Sequence, residues 1–217
     1  MKILAVEFSS EQRSIAVLVD GTVRATATEV AARNSRSFAL IERALAEARL
    51  EREEIECLAL GLGPGSYAGI RSAIALAQGW QLAVPVKLLG ISSVECLAAE
   101  AQAKGWFGPA NIIIDAQRNE LYLARYNISP DAYVELEPLK LATLDETRAR
   151  SAAGEIIIGP EANRWFDQGR ILFPGAPTLG RLASTRTSFV PGEKLEPIYL
   201  RETAFVKAPP LRVLPPL

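Results

Sequence analysis

The stretch from Gly61 to Val86, GLGPGSYAGIRSAIALAQGWQLAVPV, constrains the fold more than any other part of the chain. Between Glu56 and Lys87 it carries a single formal charge, Arg71. A glycine-proline loop opens it, and the next proline is Pro85. A helix packed on one side only shows charge on its outer face. This spacing therefore predicts a tight loop feeding a helix, Tyr67 to Val84, covered on more than one side. At about 100° per residue, Ala68, Ser72, Ala75 and Gly79 fall in one narrow stripe. Ile70, Ile74, Ala77 and Val84 lie roughly opposite, with Tyr67, Arg71 and Gln78 on a polar edge between them. Gly69 and Gly79 each cost about 1 kcal/mol against alanine in a helix interior. Close approach of another backbone is the usual compensation. The second cover is either the preceding helix of the same chain or another protein.

The flanking sequence fixes the class. Ile3 to Phe8 reads as a strand, Ser9 to Gln12 as a polar turn, Ser14 to Val19 as a second strand. Asp20-Gly21 is a two-residue hairpin signal leading into a third, Thr22 to Val30. Ser37 to Leu50 repeats apolar residues at Phe38, Ile41, Leu45 and Ala48, one face of an amphipathic helix. Glu56 to Leu62 is a strand buried on both faces. Val86 to Leu89 and Ser92 to Lys104 add a strand and a helix. Strands joined by turns pair antiparallel, and those joined through helices pair parallel. The result is a mixed sheet with helices on its faces, a ribonuclease-H-like unit.

Lys104 to Ala110, KGWFGPA, reads as a boundary. Beyond it, strand, polar turn, strand, strand returns: Ile112 to Asp115, Gln117 to Asn119, Leu121 to Ile128, Tyr133 to Leu141. This is an internal repeat, with one unit over residues 1–104 and a second, reduced unit over 105–217. The second continues with a helix at Leu144 to Ala153, a strand at Glu155 to Ile158 and a short helix at Glu161 to Gln168. Beyond Gly169 it is rich in Pro and Gly, with an extended segment at Ile198 to Arg201 and an irregular proline-rich tail.

Composition excludes several kinds of chemistry. There is no histidine in 217 residues, which removes imidazole metal sites and Ser-His or Cys-His nucleophile pairs. A net charge of -1 gives no global attraction to nucleic acid or membrane. Cys57 and Cys96 form no CxxC and read as core thiols in a reducing compartment. The opening MKILAVEF is broken by Glu7 and is no signal peptide. Ser72 to Val86 falls short of the ~20 apolar residues of a membrane helix. A cytoplasmic protein without a membrane anchor is expected.

Two constellations remain. Gly63-Pro64-Gly65-Ser66 sits at a strand-to-helix junction, where amides can hold an anion. It matches neither GxGxxG nor GxxxxGK[ST], so a tight turn with Ser66 capping the helix is the favoured reading. Glu7 and Asp115 end equivalent strands of the two units. Facing one cleft, they would hold Mg²⁺ in a small ATPase or kinase. The plainer reading is solvated carboxylates on turns.

GLGPGSYAGIRSAIALAQGWQLA, with ILAVEFSS, DAQRNELYLARY and LEPIYLRE, resembles the TsaB (YeaZ) family of tRNA threonylcarbamoyladenosine biosynthesis. The resemblance implies the α/β actin/Hsp70-like ATPase fold, two ribonuclease-H-like units in tandem. It implies a non-catalytic, cofactor-free subunit that supports the transferase TsaD, whose metal is held by histidines this chain lacks. A TsaE-like ATPase joins that assembly, tRNA is met only through it, and such chains self-associate when alone. The expected partner face comprises Phe38, Ile41, Leu45, Tyr67, Ala68, Arg71, Ser72, Ala75, Gly79 and Leu82. The family usually has Asp where this chain has Glu7, which weakens a metal role there.

Overall fold

The computed structural model describes residues 1–30 and 37–201; the expected proline-rich tail falls on 202–217, outside them. β1 (Lys2–Glu7), β2 (Gln12–Val19) and β3 (Thr22–Val30) form the antiparallel meander, β4 (Cys57–Gly61) pairs parallel with β1, and β5 (Lys87–Ile91) pairs parallel with β4. The order is β3-β2-β1-β4-β5. The second sheet contains β6 (Gly108–Asp115), β7 (Glu120–Ile128), β8 (Tyr133–Thr143), β9 (Ile156–Gly159) and β10 (Arg170–Ile171), in the order β8-β7-β6-β9-β10. The two orders are the same, strand for strand, so the repeat read from turns and apolar runs is a repeat of topology. This is the tandem ribonuclease-H-like architecture of the actin-like ATPase fold.

The strands follow the period-2 rule. Leu4, Val6, Leu58 and Leu60 point into one apolar cluster, and Ile3, Ala5, Cys57 and Ala59 into another across the sheet. The described helices are α1 (Ser37–Ala48), α2 (Tyr67–Ala83), α3 (Ser93–Ala103), α4 (Leu144–Ala152), α5 (Ala162–Trp165) and α6 (Ala176–Ser184). α1 and α2 cover the first face through Leu40, Ile41, Ala44, Leu45, Ile70, Ala73, Ile74 and Ala77.

The second sheet has five strands among the described residues, like the first, and the shortening of the second unit lies in its helices, nine residues in α4 and four in α5. Two expectations change. Gly108 to Ala110, read as part of a boundary, already belongs to β6. Pro109 is tolerated there because it precedes Ala110–Ile112, the segment paired with β9. The Pro- and Gly-rich region beyond Gly169 contains α6, which packs Ala176, Leu179 and Ala183 on the second face of the first sheet. Its start is fixed by an acceptor far away in sequence: the Ala176 amide donates to Ser14 Oγ at 2.9 Å. Gly180 permits the approach, since a Cβ there would sit 2.1 Å from Leu18 Cδ1. α3 serves both units, placing Cys96 in the first sheet's cluster and Val94, Leu97, Ala98 and Ala101 in the second's. Residues 198–201 form no strand, although the Ile198 amide donates to the Leu62 carbonyl at 2.9 Å.

Candidate functional site

The glycine loop is a brace. The Leu62 amide donates to Ile91 O and the Ser66 amide to Ser9 O, while Ser93 N donates to Gly63 O. The Gly63 amide donates to Ser93 Oγ at 3.2 Å. Pro64, which follows a cis peptide bond, has no N–H to offer. The Gly63 and Ser66 amides are therefore committed to the protein itself. Ser66 caps α2, its Oγ accepting from the Gly69 amide at 3.3 Å. Gly69 is explained by the expected close approach, because a Cβ there would lie 2.0 Å from the Phe8 carbonyl oxygen.

Beyond its cap, α2 presents a long bare face. Tyr67, Ala68, Arg71, Ser72, Ala75, Gly79 and Leu82 are all exposed, Leu82 at 91%. Among the described residues, nothing lies within 4 Å of where a Gly79 side chain would begin. The stripe is thus not packed against α1, and its only formal charge is Arg71. The Arg71 guanidinium donates to the Tyr67 hydroxyl at 2.7 Å and lies 5.0 Å from that ring's centre. On α1, Phe38 is 69% exposed. Ile41 and Leu45, expected on the same face, are corrected: they are 2% and 4% exposed, packed in the chain's own core. They stand within about 60° of Phe38 around the helix, so their spacing reads as one face, but the first sheet's core takes both side chains.

Sequence reasoning missed what holds the other edge of α2. Gln78 Nε2 donates to the Gly192 carbonyl at 2.9 Å, and the Gly192 amide donates to Gln81 Oε1 at 3.0 Å. The chain then passes Leu195, buried in the first core, and lays Tyr199 on Tyr67 with ring centres 5.6 Å apart. The LEPIYLRE segment offered no periodic signal for this placement.

The paired carboxylates do not meet. Glu7 is no solvated turn residue; it is fully buried. Its Oε1 accepts from the Ser9 amide at 2.8 Å and its Oε2 from Ser93 Oγ at 3.0 Å. Burial pushes its carboxyl above the ordinary range, opposed by the bonds from Ser9 and Ser93. Gly61 makes the room, since a Cβ there would fall 1.9 Å from Glu7 Oε2. Asp115 does border a cleft between the units, about 350 Å³, lined also by Ser9, Glu11, Ser66, Gln117 and Glu161. Both its oxygens are engaged, Oδ1 by the Gln117 amide at 2.7 Å and Oδ2 by Arg164 at 3.2 Å. Burial pushes Glu161 up as well, and the nearby charges of Asp115 and Glu11 add to it. The charged side chains on the cleft wall are thus carboxylates, which repel the phosphates of a nucleotide. No group of three His, Cys, Asp or Glu among the described residues is placed to hold a metal ion.

Comparison with known proteins agrees with this geometry. The family model described as TsaD, tRNA N6-adenosine threonylcarbamoyltransferase, matches residues 26–194. The tRNA threonylcarbamoyladenosine biosynthesis protein TsaB of Escherichia coli is 28% identical, over 97% of this chain and 99% of its own length. TsaB of Bacillus subtilis is 30% identical over 58% of this chain and 55% of its own. YeaZ from Pseudomonas aeruginosa superposes with a TM-score of 0.78 at 25% identity, over 92% of this chain and 99% of that one. The chain belongs to the tRNA N6-adenosine threonylcarbamoyltransferase family, in its TsaB (YeaZ) group.

Proposed function

We propose that the chain is a non-catalytic subunit that docks a TsaD-like enzyme on the exposed face of α2 and supports threonylcarbamoyladenosine formation in tRNA. The observation that carries this is the face itself: a 17-residue helix whose outward side bears small or apolar residues and one charge. Such a surface, depleted of charge and containing Tyr and Arg, has the composition of an interface core. The exposed Phe38 of α1 is read as part of the same face. The biosynthetic role is that printed in the names of the E. coli and B. subtilis relatives. The absence of histidine and the acidic cleft support assigning the chemistry to the partner. In this reading a TsaE-like ATPase joins the assembly in the cytoplasm, tRNA is met through the complex, and the free chain pairs with itself. No described helix is long and apolar enough to cross a membrane.

Ala75→Asp tests the reading. Ala75 is exposed in the free chain, so folding is unaffected. Buried at an interface without a partner, the carboxylate costs about 3–5 kcal/mol. Loss of co-elution with the organism's own TsaD, with the free chain's Tm unchanged, is the expected result. An unchanged affinity removes the interface.

A further inference from the structure

We infer that the segment Leu195–Arg201 is the second half of the docking surface, with Tyr67, Arg71 and Tyr199 at its centre and Leu200 at its edge. The inference rests on the reading of α2 as the docking face and names the part of that face a helix alone does not contain. The occupant is the same TsaD-like subunit, because this surface is continuous with the face of α2 through a direct ring contact.

The segment is held in place at both ends. Leu195 is buried among the residues beneath α1 and α2, and the Ile198 amide is bonded to Leu62 O at 2.9 Å, just ahead of the glycine loop. At the far end the Arg201 guanidinium donates to the Ala116 carbonyl at 3.1 Å, just after β6, and to Glu120 at 2.5 Å, at the start of β7. Between these anchors, two large side chains are left partly in water, Tyr199 at 43% and Leu200 at 38% exposed. Tyr199 does not lie flat on the core. It stacks on Tyr67, itself 60% exposed, at an interplanar angle of 24°.

Arg71 ties the pair together. It donates to the Tyr67 hydroxyl, and its charge also acts on the Tyr199 hydroxyl against the desolvation that burial imposes there. The result is a cluster of two phenol rings and one guanidinium, already assembled in the free chain and lacking a carboxylate partner for Arg71 among the described residues. Tyr and Arg are the residue types that dominate interface energetics when a partner desolvates them. Pre-ordering lowers the conformational entropy lost on docking. The matching surface on the partner is an apolar patch with a carboxylate or a carbonyl edge placed to meet Arg71.

The test measures the affinity of the full chain for the organism's own TsaD by titration calorimetry, with the thermal midpoint of each free variant alongside. Tyr199→Ala is expected to weaken binding ~10-fold or more, while the free chain's midpoint falls by only about 2–4 °C. Leu200→Glu, which changes no hydrogen bond of the fold, is expected to weaken binding to a similar degree and serves as the deciding variant if Tyr199→Ala unfolds the chain. Ala75→Asp runs in parallel. If Ala75→Asp abolishes binding and both segment variants stay within about twofold of wild type, the docking face ends at α2 and the inference is wrong. If Ala75→Asp also binds normally, the α2 reading fails and takes the inference with it.

Discussion

Glu7 shows how a single side chain reorganises its surroundings. A carboxyl fully enclosed at the end of β1 meets no cation in its hydrogen-bond shell among the described residues, where the Ser9 amide and the Ser93 hydroxyl donate to it. Its folded pKa is raised by burial. A raised carboxyl contributes stability that is complete below its unfolded value, near 4.3, and fades as pH rises through the folded value. Glu7→Gln keeps the shape and removes the titration. The variant should be more stable than wild type at pH 8 and indistinguishable at pH 4, read from urea midpoints at the two pH values. Equal pH profiles would mean that Glu7 is charged and paired in solution. None of this burial was legible in the sequence. Glu7 ends an apolar strand as a solvated turn residue would, and what encloses it comes from positions 61 and 93.

At the scale of elements, the most legible feature was α2. Its lack of charge is written in consecutive residues, and its cap, inward face and bare face all follow from one period. α6 was the least legible. Its nine residues contain Gly180, helix-unfriendly in isolation, and lie in a Pro- and Gly-rich stretch, although Pro177 falls in the first turn where proline is tolerated. They make a helix because Ser14 of β2 caps it and Leu18 fills the notch at Gly180. α4 lies between these cases: its helical run was readable, but its docking was not. Arg150 reaches Glu137 of β8 with two bonds, 2.9 and 2.8 Å, and also bonds Glu146 and Asn111. The Arg150 guanidinium, with Lys140, holds the Glu137 carboxyl down at about 2. Such a depressed group stabilises the fold above the unfolded carboxylate value and loses its contribution as pH falls toward about 2. Glu137→Gln should therefore cost about 1 kcal/mol at pH 7, a solvent-screened figure, and this difference should shrink steadily as pH falls from about 5 through about 2. A constant difference across that range in urea titrations would assign the cost to packing instead.

For the whole molecule, the tandem repeat was visible because hairpin signals and apolar runs recur in order. The interlocking of its halves was not, because it depends on α3 being shared and on α6 returning to the first sheet. A fragment ending at residue 104 contains all five strands of the first sheet and lacks the helix that covers Ile3, Ala5, Ala16 and Leu18. It should bind a hydrophobic dye and show no cooperative thermal transition, whereas the full chain shows one. A sharp transition in the fragment would make α6 an accessory.

The return of α6 also sets an order in time. During synthesis the first sheet leaves the ribosome early, with its strands already adjacent in sequence or one helix apart. Its second face stays open until residue 184 has emerged, after every strand of the second sheet. The nascent protein therefore carries an uncovered apolar sheet face while residues 92 to 184 are being made. Slow codons or a stall between residues 104 and 176 would lengthen the interval in which that face can meet a chaperone or another nascent chain.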